Sequence, residues 1–294
     1  DPAAVFLGQD AAPEAIARLR QSLGLDDPWH VRLGSYLAGV LRGDLGHSIF
    51  QNEPVSTLVF GRLGATVELA LSALAFAVIL GVALGLVAAT RKGSLVDVAT
   101  MIVAQIGVSM PVFWLGILLT LVFAVQLGWL PSIGRGEPLP SAFVVALGGR
   151  PAVLLDSLAH LLLPALALGA NAAAIISRLV RASMVEVLNE DFIRTARAKG
   201  VRRRHIILHH ALRNALLPII SMIGLRFGAL LGGAVLTETI FAWPGLGQLT
   251  IAAVSQRDWP LIQGVVLVFA MMFALVNLIV DLTYAIVDPR VRLR

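Results

Sequence analysis

The sequence predicts an all-α protein that crosses a lipid bilayer several times. Of its 294 residues, 57% are hydrophobic and 14% are charged, a balance far more apolar than that of ordinary soluble domains. Crossing about 30 Å of hydrocarbon as a helix takes roughly 20 mainly apolar residues. The apolar runs of this chain are continuous and rich in Leu, Ala and Gly, whereas the strands of a membrane barrel alternate in polarity. We mark five spans, at residues 65–90, 98–127, 157–180, 215–241 and 261–287.

The basic residues predict which connections face the cytoplasm. The segment 178–213 holds nine of the 23 lysines and arginines, and connections rich in these residues stay inside. Alternation then places Arg91, Lys92 and the C-terminal arginines inside, and the connections 128–156 and 242–260 outside. The same parity leaves residues 1–64 outside, where acidic residues outnumber basic ones by seven to five.

We therefore expect an extracytoplasmic segment over residues 1–64 and a membrane domain over residues 65–294, with a cytoplasmic loop at 181–214. An outside N-terminus needs a signal to carry it across, yet the sequence starts at Asp1 without Met or a signal sequence. We expect a membrane helix before Asp1, which would give six spans with both ends inside. Within residues 1–64, apolar positions at helical spacing predict two or three short helices packed over the outer mouth.

Motifs and composition give no indication that this chain catalyses a reaction. There is no cysteine, which excludes disulfides, thiolate catalysis and Cys-ligated metals. His205, His209 and His210 lack the Glu of a zinc-protease helix, so solvated positions are favoured over metal ligation, as they are for His160. No phosphate loop of the form G-x-x-x-x-G-K-[ST] occurs. We predict no catalytic residue, no metal site and no cofactor here.

The net charge of +5 lies mainly on the predicted inner face, where it indicates topology and lipid contact. The basic loop lacks the aromatic residues of a single-strand binder, so we do not expect nucleic-acid binding.

The cytoplasmic loop contains a predicted amphipathic helix. Met184, Leu188, Phe192 and Ala196 recur every four residues and form one apolar stripe. Composition leaves two roles open: a helix that lies on the lipid surface, and a helix that docks in a partner protein.

The end of this helix carries stop signals. Asn189 or Asp191 is positioned to cap its last section, and Lys199 falls in its last turn. Gly200 can adopt the left-handed conformation that terminates a helix.

A resemblance decides between the two roles. The stretch from Arg194 to Gly200 resembles the coupling-loop signature of ABC importer permeases, which reads Glu-Ala-Ala, three residues, then Gly. Ala196 and Gly200 match in spacing, while Arg194 stands in place of the Glu and Thr195 in place of the first Ala. Further stretches are similar to the dipeptide, oligopeptide and nickel branch of that family, at residues 1–2, 23–26, 43–46, 109–113, 190–200, 210–218, 237–247 and 288–290.

The resemblance implies a helical bundle of the type I ABC importer permease kind, in the bacterial plasma (inner) membrane. It also implies a second, different permease subunit, two ATPase subunits that bind ATP and Mg, and an extracytoplasmic substrate-binding protein. This chain resembles the first permease subunit, with Phe192 and Ala196 expected to face the ATPase. The implied coupling residues are Glu190, Asp191, Phe192, Arg194, Thr195, Ala196, Lys199 and Gly200.

Arg226 is predicted to face the protein interior or a subunit seam. Among the basic residues it is placed deepest in a marked span, and exposing it to lipid costs at least about 2.5 kcal/mol. Two roles stay open: attraction of a peptide carboxylate from the passage, or pairing with an acid or with helix-end carbonyls. Small residues on the same span predict close helix packing and can form a passage wall, namely Gly224, Gly228, Gly232 and Gly233.

The segment 243–247 predicts a helix stop and a tight turn at the outer surface. Trp243, Pro244 and Gly245 could close the outer mouth of the passage and help dock the binding protein. The alternative is an interfacial anchor, because Phe241 and Trp243 suit the edge of a membrane.

Two other classes of protein compete with the permease. An ion-coupled secondary transporter often places acids at mid-membrane, whereas Glu68, Glu238 and Asp281 are expected nearer span ends. An intramembrane enzyme would need a nucleophile or metal constellation. For the permease, di- or oligopeptides are favoured over nickel because no metal-ligand cluster lines the spans, and glutathione import remains an alternative.

Overall fold

The computed structural model describes residues 12–22 and 26–287, where helices joined by loops and turns are the regular secondary structure, apart from one isolated bridge between His47 and Pro54. The predicted all-α class is confirmed. The motif positions 1–2, 23–25 and 288–290 and the C-terminal arginines lie outside the described residues. In chain order the helices are α1 Pro13–Ser22, α2 Trp29–Leu41, α3 Val55–Thr90, α4 Leu95–Ser109, α5 Val112–Leu119, α6 Leu139–Leu147, α7 Pro151–Val187, α8 Asp191–Ala198, α9 Arg203–His205, α10 Leu212–Ile240, α11 Leu246–Gln256 and α12 Trp259–Val287.

Among the described residues, four helices are each long and apolar enough to cross a membrane: α3, α7, α10 and α12. α3 begins at Val55, ten residues before the marked span, because Gly61, Arg62 and Gly64 interrupt the apolar run without interrupting the helix. The expected boundary between residues 64 and 65 therefore lies inside a continuous helix, and the division into an outer segment and a membrane domain stays a prediction. α10 likewise continues the helical path of α9 through a π-helical stretch at Ile206–Ala211.

The second marked span is broken, so the prediction of one continuous helix over residues 98–127 was wrong. α4 and α5, the latter continued by a π-helical stretch at Thr120–Gln126, meet at an angle of 109°. Pro111 has no N–H to continue the helix, and the residue before it, Met110, takes the extended conformation that a following proline favours (φ −77°, ψ 128°).

The broken pair still crosses the bundle once. Successive residues from α4 onward contact α7 at successive positions, from its cytoplasmic end to its outer end. Asp97 bonds Arg181, Gly107 lies beside Ala174 and Ala170, Gly116 lies beside Ala167, and Gly136, in the connection after the pair, lies against Ser157. A re-entrant loop would return to the end of α7 where it started. The described chain therefore makes five crossings, which keeps the predicted alternation of connections.

α3 and α7 form the centre of the bundle. Gly81 and Gly85 on α3 and Gly169 on α7 let the two backbones approach so closely that a Cβ at any of them would overlap a carbonyl oxygen of the other helix. Near the cytoplasmic end, the guanidinium of Arg181 donates two hydrogen bonds to the carboxylate of Asp97, at 2.6 and 2.8 Å. This pair joins α4 to α7.

The outer segment contains two described short helices, α1 and α2, as predicted, and Val40 near the end of α2 packs against the core cluster that includes Leu45. No residue of α2 is buried. The segment is also anchored by the loop that follows α2, where Leu45 enters the core and the hydroxyl of Ser48 donates a hydrogen bond to Asp258, 2.5 Å away.

Candidate coupling helix, outer turn and passage

The candidate coupling helix is α8. α7 ends at Val187, a turn follows, and the N-cap residue of α8 is Glu190, which makes no side-chain capping bond. The predicted caps were therefore wrong: Asn189 donates its amide to the carbonyl of Val185, and Asp191 lies in the first helical turn. The predicted stop is present, because Gly200 follows the C-cap residue with a left-handed φ of +73°.

The faces of α8 differ from the predicted stripe because the turn after α7 changes the helical phase. Ile193 is fully buried, and Ala196 packs with it against the core of this chain. Ala196 is thus only partly covered by its own chain, and its expected contact with a partner stays a prediction. Phe192 remains 44% exposed, beside exposed Arg194 and Thr195. The sequence signal that could have separated these faces is the three-residue spacing of Ile193 and Ala196.

The outer turn after α10 folds into the protein. Trp243 is 1% exposed, and its indole N–H donates to the carbonyl of Ala65 on α3 at 2.9 Å. Phe241 is equally buried and lies against Gly116 of α5. The interfacial-anchor alternative is thus wrong for both aromatic residues. Pro244 is exposed at the tip of the turn.

A buried carboxylate holds this turn closed. Glu238 is 0% exposed, and its side chain accepts hydrogen bonds from the hydroxyl of Thr66 (2.7 Å) and from the backbone N–H groups of Gly247 (2.6 Å) and Gln248 (3.1 Å). The last two groups belong to the first turn of α11, where unpaired N–H groups and the helix dipole favour a carboxylate. A Cβ at Gly245 would overlap that carboxylate.

The role of Glu238 was not predicted from the sequence. Its position seven residues before Gly245, the N-cap residue of α11, was a usable signal. Arg135 was likewise given no role, yet it forms an ion pair with Glu68 of α3 and lies over the ring of Trp243, 5.5 Å from its centroid. These contacts join the outer connection at residues 128–156, the outer turn after α10 and α3 into one cluster.

Arg226 lies partly buried in α10, and its Nε is a buried atom without a hydrogen-bond partner among the residues that the structure describes. The four glycines near Arg226 differ in what they contact. Gly224 and Gly228 pack against Val280 and Phe273 of α12. Gly232 and Gly233 are exposed, with open space around Gly232 and Leu168 of α7 beside Gly233, so these two rather than the first two can form a passage wall.

Helix geometry fixes the depth of Arg226. Gly233 faces Leu168 of α7, and Arg226 lies seven residues earlier, two turns or about 10 Å closer to the cytoplasm on nearly the same face. On α7, which runs in the opposite direction, residue numbers rise toward the cytoplasm. About seven residues beyond Leu168 therefore reach the depth of Arg226, and this depth lies between Asn171 and Arg178.

At the cytoplasmic start of this crossing, three histidine rings gather, with the centroids of His205 and His209 4.8 Å apart. Both side chains are exposed. These rings contact one another but do not form a metal site. Within residues 12–22 and 26–287, no group of three or more His, Asp or Glu side chains is arranged so that it could hold a metal ion.

A helical bundle with five crossings, a short helix that ends at Gly200 on its cytoplasmic side and a closed outer turn is the fold of a multi-pass membrane protein. Residues 81–293 match the family model described as binding-protein-dependent transport system inner membrane component, and the chain belongs to this family.

Relatives support this assignment over nearly the whole chain. The chain is 44% identical to the dipeptide transport system permease protein DppB of Alkalihalophilus pseudofirmus, with 99% of this chain and 90% of that protein covered. It is 42% identical to the glutathione transport system permease protein GsiC of Salmonella choleraesuis, with 99% and 89% covered. An inward-facing structure of the MetNI methionine ABC transporter shares the fold, with a TM-score of 0.59 and 20% identity over 79% of this chain and 96% of that one.

Proposed function

We propose that this chain is one of two different permease subunits in an ATP-driven importer of di- or oligopeptides, and that it forms half of the translocation pathway. The observation that carries the substrate class is the 44% identity to a dipeptide permease over 99% of the chain. Glutathione, itself a modified tripeptide, is the second candidate because of the 42% identity to a glutathione permease. Nickel import is less favoured, since no metal-ligand cluster occurs in the described part of the chain.

The proposed assembly supplies the chemistry that this chain lacks. Two ATPase subunits bind ATP and Mg at the cytoplasmic face, a binding protein delivers substrate at the outer face, and a related permease completes the pathway. We assign the contact with the ATPase to the exposed side of α8 and the turn that follows it. Phe192 provides its apolar centre, and the residues around it are Glu190, Asp191, Arg194, Thr195, the partly buried Ala196, Lys199 and Gly200.

Uptake into vesicles that contain the whole complex tests this function. Labelled dipeptide should accumulate only when ATP, Mg and the binding protein are present, and an ATPase inhibitor should stop the accumulation. Uptake that continues under the inhibitor and follows an ion gradient would identify a secondary transporter. Competition by unlabelled dipeptide, glutathione and a nickel chelate would rank the three substrates.

We assign Arg226 to the passage. Its side chain is partly buried, and its Nε has no hydrogen-bond partner among the described residues. We expect Arg226→Gln to leave the yield of complex unchanged and to lower peptide uptake roughly tenfold, the equivalent of about 1.4 kcal/mol. Arg150→Gln, at an exposed outer position, is the matched control and should transport normally. A lower yield of complex with normal uptake per complex would assign Arg226 to a structural pairing with another subunit.

The exposed tip of the outer turn is assigned to contact with the binding protein. A photoreactive side chain at position 244 should crosslink to the binding protein, because Pro244 is exposed while Gly245 has no room for a side chain. The same group in place of Ile79, which is 72% exposed in the apolar middle of α3, serves as the control and should not react with the binding protein. Products with lipid alone from position 244 would contradict this assignment.

A further inference from the structure

The break between α4 and α5 lies near the middle of the membrane. On α7, the stretch between His160 and Arg178 contains no charged residue and marks the depth of the hydrocarbon. The residues on either side of the break, Gly107 and Gly116, lie beside Ala170 and Ala167, at the centre of that stretch.

A break at this depth leaves backbone carbonyls without their helical partners. Exposed to lipid, each such group costs several kcal/mol, so irregular backbone at membrane depth occurs only where it is buried in protein or lines a water-filled cavity. One carbonyl here, that of Val108, accepts a hydrogen bond from the side-chain amide of Asn171 on α7 at 3.3 Å. This bond holds the break against α7.

Polar side chains gather beside the break. Gln105 and Ser109 are exposed on α4, and the guanidinium of Arg178 on α7 lies 3.5 Å from the amide oxygen of Gln105. Together with Asn171 they form a polar strip from mid-membrane to the cytoplasmic end. Gln105 and Ser109 are the polar residues in the wall of a surface cavity of about 540 Å³, which is otherwise lined by the break itself, at Met110 and Pro111, and by the apolar side chains of Ile106, Phe113 and Trp114.

The polar strip does not fit a surface that faces lipid. At a similar depth α3 presents Ile79, which is 72% exposed and is followed by Leu80, an ordinary lipid-facing arrangement. By contrast, an amide, a hydroxyl, a second amide and a guanidinium share the seam between α4 and α7. Polar groups within membrane spans characteristically face a passage or another protein. Arg226 lies at the depth of this strip, on the face of α10 that turns toward α7.

We propose that the polar strip formed by Gln105, Ser109, Asn171 and Arg178 lines the translocation passage and binds the main-chain groups of a transported peptide. This inference rests on the proposed function. Gln105 and Ser109 can each donate and accept, as a peptide bond does, so they suit groups that all peptides share. Arg178 lies toward the cytoplasmic end, where it attracts the terminal carboxylate. Asn171 is a positioning residue, because its amide is engaged with the break.

Cysteine labelling tests the passage directly, because the chain has no cysteine of its own. The variants are Ser109→Cys and Gln105→Cys, with Ile79→Cys as the control of similar depth. The cysteine thiolate attacks a water-soluble, electrophilic thiol reagent, and this thiolate forms in water and is suppressed in apolar surroundings. We expect Ser109→Cys and Gln105→Cys in the whole complex to react at least about tenfold faster than Ile79→Cys. Transported dipeptide should slow the first two reactions, and completed labelling should block uptake.

Reaction of both strip variants as slowly as Ile79→Cys would overturn the inference, and so would full labelling that leaves uptake unchanged. If Ser109→Cys fails to assemble, Gln105→Cys decides the question alone. Failure of the proposed function is separate from these outcomes, because it appears as absent peptide uptake by the unmodified complex whatever the labelling rates.

Discussion

A Gly200→Val complex is expected to assemble in the membrane, to lose most peptide uptake and to lose the stimulation of its ATPase by loaded binding protein. Gly200 has φ +73°, and a β-branched residue there costs about 1–2 kcal/mol of backbone strain. The turn can relieve this strain only by moving the end of α8, which carries the exposed residues assigned to the ATPase contact. Uptake and ATPase activity of the purified complex, measured with and without binding protein, check this result.

Two variants separate coupling from strain alone. Gly149→Val introduces comparable strain in the outer connection, where Gly149 has φ +96° and open space around it, and should leave coupling intact. Gly200→Asn should retain much of the activity, because Asn tolerates the left-handed conformation better than other side chains. Normal stimulated ATPase in Gly200→Val would contradict the role assigned to α8.

Replacement of Glu238 by Ala is expected to reduce the yield of assembled complex severely. Its carboxylate accepts bonds from Thr66, Gly247 and Gln248, and the first two pairs are fully buried. Each buried donor left without a partner costs about 1–3 kcal/mol, so the variant should lose at least about 2 kcal/mol of stability. The outer turn should also separate from α3. The melting temperature of the complex in detergent, and protease access to the turn, measure these effects.

The controls for this prediction lie on the same side of the membrane. Glu137→Ala removes an exposed carboxylate from the outer connection and should have no effect. Gly245→Ala keeps the carboxylate but places a Cβ where it now lies, and should reproduce the loss. Wild-type stability of both Glu238→Ala and Gly245→Ala would show that the carboxylate does not hold the turn.

The sequence by itself determined the fold class, which described segments cross the membrane and where α8 ends. Continuous apolar runs have one stable form in lipid, because each helix satisfies its own backbone groups. The stop at Gly200 was also readable, since left-handed backbone strongly favours one residue type. These properties depend on local chemistry, and short-range pattern therefore predicts them.

Other features were decided by tertiary structure. Trp243 and Phe241 have the composition of interfacial anchors, yet both are buried because α3 supplies a carbonyl acceptor and α5 supplies the small residue Gly116. Glu238 received no role from its position near a span end, because its three donors come from α3 and α11. The carbonyl of Ala65, the hydroxyl of Thr66 and Gly116 lie more than 100 residues from the side chains that they contact, and such distant partners leave no trace in local periodicity.

The broken span lies between these two cases. Pro111 was visible in the sequence, but a proline in an apolar run is compatible with a mild kink and with a sharp break. The 109° angle is set by how α4 and α5 each pack along α7, with Asn171 bonded to a carbonyl at the break. Sequence thus determined which segments enter the membrane, because that depends on the transfer of each segment from water to lipid. Tertiary packing decided which polar groups remain exposed inside it, because that depends on how neighbouring helices cover one another.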